Sequence, residues 1–386
     1  MIDFTPSEDQ QLLRDGVAQF AKATLAERVR EIEVARAVPE DICAAAGELG
    51  LAGISLPEAC GGQGQGLLTE VLLEEELGKI DAGAAAALPG PGAFGTAVVE
   101  LAEAQAEAIL APVLEPGAFG AVAWGEKKPH PERPGMTTVA KRAGDGWTLT
   151  GAKHAVHNAA LAKRLLVIAQ VDEAAGWNGL GAFVVDAEHA QVGERHTTLG
   201  LDAAWFGTVS FADAPAQRIG PEDAGELTVA LLRFFAKRGL IHAARATGLA
   251  QRAFDMAREH CDNRVAFGKP IGHFQAVAFT LADRLMDVES SRWQVWQAAW
   301  AWDEGKKDAL MLSAQASAHA LEAAMRCGDD CVSLHGGMGF IRDVEAEKLM
   351  RDAKQLALCG MTPAQHDQLA AALEVGAALD PALLLP

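Results

Sequence analysis

Apolar residues recur at helical spacing at both ends of this chain and at strand spacing in its middle. Leu13, Val17 and Phe20 share one face after Thr5-Pro6-Ser7-Glu8, which reads as a capping box with proline at the first helical position. A second helix is predicted from Pro39 to near Gly50 and a third over 67–79. Between them the run PEACGGQGQG at 57–66 lacks the flanking strand and helix and the Lys-Ser/Thr of a phosphate loop, so it reads as a connecting turn. The alanine-rich run 82–99 is expected to be a loosely packed loop and helix start. Between about 119 and 222 the period shortens. VAKRAGDGWTLTG predicts a hairpin turning at Asp145-Gly146, and RLLVIAQV, GAFVVDA and GTVSFADA predict short strands. Helical patterns return from about 223, with Trp293, Trp296 and Trp300 on one face, as core or subunit packing requires. The expectation is a mainly α protein with a β insert: a helical domain at 1–118, a small antiparallel β-domain at 119–222 and a second helical domain at 223–386.

Composition narrows the function. Half of the 386 residues are hydrophobic, enough for a large core, and a formal net charge of −19 argues against a nucleic-acid partner. No apolar run is long enough to span a bilayer and the N-terminus lacks the regions of a signal peptide, so a soluble cytoplasmic protein is expected. The cysteines at 43, 60, 261, 327, 331 and 359 form no CxxC pair. Cys327 and Cys331, four apart on a predicted helix, suit packing, and no metal site is expected.

Two stretches carry chemistry. In RVAFGKPIGHFQ at 264–275 a helix should carry Arg264 outward, turn at Phe267-Gly268 and restart near Gly272, so that Gln275 points back. Arg264 offers a permanently charged fork for a phosphate and Gln275 an amide for an adenosine edge. In LHGGMGF at 334–340, Gly336, Gly337 and Gly339 allow the close backbone approach that a pyrophosphate needs. Taken singly, Arg264 reads as a solvated helix-end cation and Gly336-Gly337 as a turn. Together, in this order and spacing, they resemble the acyl-CoA dehydrogenase family, where such elements grip the ADP half of FAD. GLAQRAFDMA at 248–257, LMRDAK at 349–354 and DFTPSEDQQLLRD at 3–15 extend the resemblance over nearly the whole chain. It implies a helical N-terminal domain, a middle β-domain and a C-terminal four-helix bundle, assembled as a dimer of dimers. It also implies an acyl-CoA substrate, an electron-transfer flavoprotein as acceptor, and Arg264, Phe267, Gln275, Ser333, Gly336, Gly337 and Thr362 at the cofactor. Ser333 stands where the family often has glutamine.

The family's reaction needs a carboxylate base near the α-carbon of the thioester. Counted from Arg351-Asp352-Ala353, the usual base position is Gly360. Counted back from Gly248-Leu249-Ala250, the alternative on a C-terminal-domain helix is Arg238. No glutamate lies between Glu347 and Glu374, so no small gap restores the base, and the chain resembles members that lack the catalytic glutamate. Replacements could come from His154, His157 or, after a one-residue slip, Cys359, although a buried packing thiol is the simpler reading of the last. Arg238 and Arg245 border the same expected cavity, as surface or interface residues or as parts of a polar pocket.

The ring end of the cofactor site also departs from the family. The loop AWGEKKPHPERPG at 123–135 keeps Glu126 but lacks the family's serine. Lys153-His154-Ala155-Val156-His157 puts Ala155 where tryptophan stacks and His157 where threonine donates a hydrogen bond, contacts worth about a kcal/mol each. The chain thus keeps what family dimers lend to a neighbour's flavin and lacks what its own ring and chemistry need. Three readings follow: a base-lacking subunit of a heteromeric α2β2 acyl-CoA dehydrogenase acting on fatty acyl or steroid side-chain thioesters, a self-sufficient FAD enzyme with a non-standard base or a related acyl-CoA reaction, and a flavin-free acyl-CoA-binding or structural homologue. An arginine-lined pocket favours an acyl group bearing a carboxylate or sulfinate; a wide apolar one favours a steroid side chain.

Overall fold

The computed structural model describes residues 5–127 and 134–379. Asp3 and Phe4 of the opening motif and residues 128–133 of the loop expected beside a flavin ring lie outside them.

Among the described residues six α-helices come first: α1 (Glu8–Thr24), α2 (Val29–Ala35), α3 (Glu40–Glu48), α4 (Gly66–Ala86), α5 (Gly92–Ala102) and α6 (Ala106–Leu110). The capping box exists, but its N-cap is Ser7 with Gln10 at N3, two residues later than the pattern suggested, because Gln10 reaches back to the Ser7 backbone. The run 82–99 also differs from expectation. Residues 82–86 are buried helix, continuing α4 beyond a break at Asp81 (φ −156°, ψ 105°), and most of the rest belongs to α5. Alanine there is a close-packing residue, and the Asp81 carboxylate restarts the helix by accepting the Gly83 and Ala84 N–H groups at 2.8 and 3.1 Å.

The middle region holds β1 (Phe119–Ala123), β2 (Val139–Ala143), β3 (Gly146–His157), β4 (Ala162–Gln170), β5 (Leu180–Asp186), β6 (Gln191–Arg195) and β7 (Phe206–Ile219). The sheet order is β1-β4-β2-β3-β7-β5 with β6 on β7, and β5 also pairs with β4, so the sheet curls back on itself. Pairing is antiparallel except that β1 runs parallel to β4 and Val139 meets Gln170 in a parallel contact. The β2–β3 turn is Gly144-Asp145, since Ala143 pairs with Gly146. That is one residue earlier than predicted, because Gly144 supplies the positive φ (61°).

The C-terminal region contains α7 (Ala224–Asn263), a hairpin of β8 (Val265–Ala266) and β9 (Lys269–Pro270), α8 (Gln275–Asp303), α9 (Ala309–His335), α10 (Ala346–Leu356) and α11 (Pro363–Glu374). As expected, Phe267-Gly268 makes the turn (φ 51° and 81°). Trp296 is buried and donates to Glu75 at 2.9 Å, whereas Trp293 and Trp300 stay half exposed. Helices α4 and α7 cross at glycines: a Cβ on Gly248 would lie 2.0 Å from the Glu75 carbonyl, and one on Gly78 would lie 2.5 Å from the Arg245 carbonyl. That close crossing sets the polar residues of the two helices against each other. A buried ion cluster ties the three regions together. Lys348 of α10 reaches Asp81 (2.9 Å) and Asp352 (2.6 Å), and Asp352 accepts from the Leu201 backbone (2.7 Å).

Candidate active site

Arg238, His242 and Arg245 lie along one face of α7, Glu70 and Glu74 face them from α4, and His157 ends β3. With the loop segments 51–56 and 88–93 they enclose a cavity of about 140 Å³. Arg245 forks onto Glu74 with Nε–Oε2 2.6 Å and Nη2–Oε1 2.7 Å, and the carboxylate offsets the burial that would otherwise disfavour the cation. Among the described residues Arg238 has no such partner. Its Nε is buried without a hydrogen bond, and burial lowers its pKa. A narrower void behind it is lined by Arg238, His242, Cys359, Gly360 and His366.

Gly360 and Arg238 come from segments more than a hundred residues apart, yet a Cβ placed on Gly360 would sit 3.9 Å from Arg238 Nε and 4.0 Å from His242 Nδ1. The two positions at which a base was sought are therefore one place in space, and neither residue is a carboxylate. Gly360 has φ +121°, a conformation that side-chain-bearing residues rarely adopt.

Burial and the neighbouring arginines push His157 down to about 3 and His242 well below its ordinary value, and burial lowers His366 to about 4. The imidazoles are thus neutral at pH 7. His157 Nε2 is buried without a partner, so its hydrogen bond to the Ala86 backbone runs through Nδ1–H, which leaves the lone pair on Nε2. The ring stacks on Phe206 with centroids 4.8 Å apart. Burial pushes the Cys359 thiol up to about 11, so it is not a thiolate. Burial likewise raises Glu70 to about 7, against a hydrogen bond from Ser55. His154 does not line the cavity. Ala155 has φ +51° and the β3–β7 register shifts between Lys153 and Val156, so His154 instead stands 3.1 Å from Thr208 Oγ1 and meets the His196 ring at a tilt, centroids 4.3 Å apart.

His242, Glu70, Glu74 and His366 escaped the sequence reading. His242 is readable in retrospect, one turn from Arg238 on the same α7 face. Glu70 and Glu74 gave no local signal, since they meet α7 only through the glycine crossing.

The predicted cofactor residues lie elsewhere. His260 stacks on His335 at 4.3 Å, which sets Arg264, at the end of α7, near Gly336 at the end of α9. Arg264, Phe267, Gln275, Ser333, Gly336 and Gly337 are all exposed. Among the described residues Arg264 and Gln275 make no side-chain hydrogen bond or ion pair. Gly336 (φ 59°) and Gly337 have no atom within 4 Å of where a Cβ would be. These are open, unsaturated groups of the kind that hold a pyrophosphate and adenosine, so this end fits an ADP moiety. Thr362 does not join them; its hydroxyl caps α11 with Gln365. The ring end fits less well, since Ala155 is exposed and offers no aromatic wall, and His157 turns onto Phe206. Glu126 is committed to structure. Burial alone would raise it, but Lys153 at 2.8 Å and the Thr137 and Thr138 N–H groups hold it at about 2.

Three family models match along the chain: the acyl-CoA dehydrogenase N-terminal domain over residues 7–115, the middle domain over 126–214 and the C-terminal domain over 227–372. The chain belongs to the acyl-CoA dehydrogenase family. Among its relatives, the fadE25 protein of Mycobacterium bovis is 32% identical over 357 residues, 91% of each chain. The cyclohex-1-ene-1-carbonyl-CoA dehydrogenase of Geobacter metallireducens is 32% identical over 90% of this chain and 93% of its own. The butyryl-CoA dehydrogenase structure from Megasphaera elsdenii superposes with a TM-score of 0.88 at 27% identity, covering 97% of this chain and all (100%) of that one. The three-part fold of helices, β-domain and helices is that of the family. No helix among the described residues is long and apolar enough to cross a membrane.

Proposed function

We propose that this chain is the base-lacking subunit of a heteromeric acyl-CoA dehydrogenase, in which it completes the FAD site of a homologous, glutamate-bearing partner in an α2β2 assembly. FAD, when bound, accepts the hydride lost from the β-carbon of the thioester; the α-proton must go to a protein base. The observation that carries the proposal is the meeting of Gly360 and Arg238 at one point with no carboxylate between them. A guanidinium takes no proton at neutral pH. His157, held near 3, and the thiol of Cys359, near 11, are both poor acceptors at pH 7.

What the chain does offer is on its surface. Arg264, Gln275, Gly336 and Gly337 present donors and open backbone. Beside them stand apolar side chains, Phe267 at 97% exposure, Phe340 at 72% and Met338 at 50%, that an assembled interface would cover. In this account Arg264 neutralises a phosphate of the partner's cofactor and the glycine turn lets the backbone approach it. The assembly is cytoplasmic and passes electrons to an electron-transfer flavoprotein. Co-expression with a homologue that carries the family's Glu, Trp and Thr tests the proposal. It should give a complex with two of each chain by native mass spectrometry, and Arg264→Ala in this chain should lower the flavin content of that complex. Flavin content unchanged by Arg264→Ala would count against it.

One observation favours a second reading, a self-sufficient flavoenzyme. Glu70 lines the same cavity and, at about 7, is tuned as a general base would be. It predicts that the chain alone oxidises an acyl-CoA and that Glu70→Gln abolishes the activity.

A further inference from the structure

The strongest unexplained feature of the cavity is Arg238. Arg245 is neutralised by Glu74, Lys237 is paired with Glu100 at 2.5 Å and Arg233 with the same carboxylate at 2.7 Å. Arg238 alone on this stretch of α7 makes no ion pair among the described residues, and its buried Nε has no hydrogen-bond partner. A half-buried cation whose Nε is enclosed without a partner is costly, so it persists where something supplies the counter-charge. Arg238 and His242 both line the cavity of about 140 Å³, and Gly360 stands behind them. Gly360 contributes no side chain, and Arg238 Nε and His242 Nδ1 both lie within 4.0 Å of the point where one would begin. His242 is neutral there and can present a ring N–H, and among the described residues no carboxylate pairs with Arg238 to compete.

We infer that the Arg238 end of the cavity is an oxyanion subsite: the cavity takes a short acyl-CoA whose acyl group ends in a carboxylate or sulfinate, with Arg238 as its anchor and His242 beside it. The guanidinium and one oxygen of the tail form the charge-assisted pair that the chain itself leaves open. A purely apolar tail would bury Arg238 unpaired, so the site discriminates against the neutral chain as well as for the charged one. The small cavity, of about 140 Å³, also disfavours a bulky steroid side chain. This inference rests on the reading that the cavity holds a CoA thioester, but not on whether the chain has a base or a partner.

The test is calorimetric titration of the full-length chain with glutaryl-CoA and pentanoyl-CoA, which share chain length and nucleotide and differ at the terminal carboxylate. Glutaryl-CoA should bind about tenfold tighter or more. In Arg238→Gln, checked for fold by circular dichroism, the two affinities should converge, mainly by loss of glutaryl-CoA binding. Arg238→Lys, which keeps the charge but not the fork, should retain part of the preference and keeps the test valid if the glutamine variant fails to fold. Equal affinities in the unaltered chain would overturn the oxyanion subsite while leaving the acyl-CoA reading intact. A preference that survives Arg238→Gln would overturn the assignment to Arg238. Binding of neither thioester would overturn the inference together with the acyl-CoA reading on which it rests.

Discussion

Replacing Lys348 by methionine should be among the most damaging single changes to this fold, and its cost follows from the ion cluster. The Lys348 ammonium is buried between Asp81 at 2.9 Å and Asp352 at 2.6 Å, and both carboxylates are nearly inaccessible. Burial acts against the charge, but the two aspartates hold its pKa well above the usual lysine value. Methionine fills most of the volume and leaves two buried carboxylates facing each other unpaired. Removing one partner of a buried pair costs on the order of 3–5 kcal/mol, and two orphaned anions place the loss at the upper end. The damage should also spread to the cavity. Asp81 restarts α4, whose end carries Ala85 and Ala86 into the cavity wall, and the Ala86 carbonyl accepts from Asn158 at 3.0 Å. The assay is urea unfolding of the parent and Lys348→Met at pH 7.5 and pH 5.5. At the lower pH an orphaned aspartate whose pKa has risen takes up a proton in the folded state, so the gap between variant and parent should narrow. Lys348→Met with Asp352→Asn should recover part of the loss at both pH values. A loss under about 1 kcal/mol at pH 7.5, or a gap that does not depend on pH, would refute the reasoning.

Three further outcomes follow from the site. Glu70, raised from 4.5 to about 7, keeps its proton in the folded chain over a window in which the unfolded chain has released it. Stability should therefore fall by about 3 kcal/mol as pH rises from 4.5 through 7, and Glu70→Gln should flatten that slope in urea melts across the window. His157, depressed from 6.5 to about 3, works with the opposite sign. Its contribution is complete above 6.5 and is lost as pH falls toward 3, by about 3 kcal/mol at pH 4, so His157→Gln should make the chain less sensitive to acid. Gly360→Ala should lower stability by about 1 kcal/mol or more because φ is +121°, and Gly360→Glu should not by itself create dehydrogenase activity, since the strained backbone and Arg238 both act on the new carboxylate. A fully active, undestabilised Gly360→Glu chain would contradict the account of that loop.

Local signals carried the parts of this structure that are locally determined. The Phe267-Gly268 turn follows from a glycine, a proline and an interrupted helical period, and the structure has it where the pattern places it; α8 restarts at Gln275 rather than near Gly272, because Ile271–His273 forms a 3-10 turn first. That Gly360 and Arg238 stand where a glutamate was expected could be read by counting because the flanking Arg351-Asp352-Ala353 and Gly248-Leu249-Ala250 runs are distinctive. Features set by distant partners were not legible. Alanine at 82–86 looks like loop filler until Lys348, more than 260 residues away, pairs with Asp81 and fixes the helix restart. Glu70, Glu74 and His242 look like ordinary helix-surface residues until Gly78 and Gly248 let α4 and α7 touch. The hairpin was displaced by one residue because Gly144 and Gly146 compete for the turn and only the strand register decides between them. His154 and His157 looked equivalent three residues apart; the bulge at Ala155 sent one to the cavity and the other to Thr208.

The most direct measurement is the visible spectrum of the chain purified alone, recorded beside its protein absorbance, and again after co-expression with a glutamate-bearing homologue. A chain that completes a partner's flavin site should be colourless alone and yellow in the complex, at one flavin per unlike pair, with bleaching by an acyl-CoA only in the complex. One flavin per chain in the lone protein, bleached by an acyl-CoA, would contradict the complementing-subunit account and turn attention to Glu70.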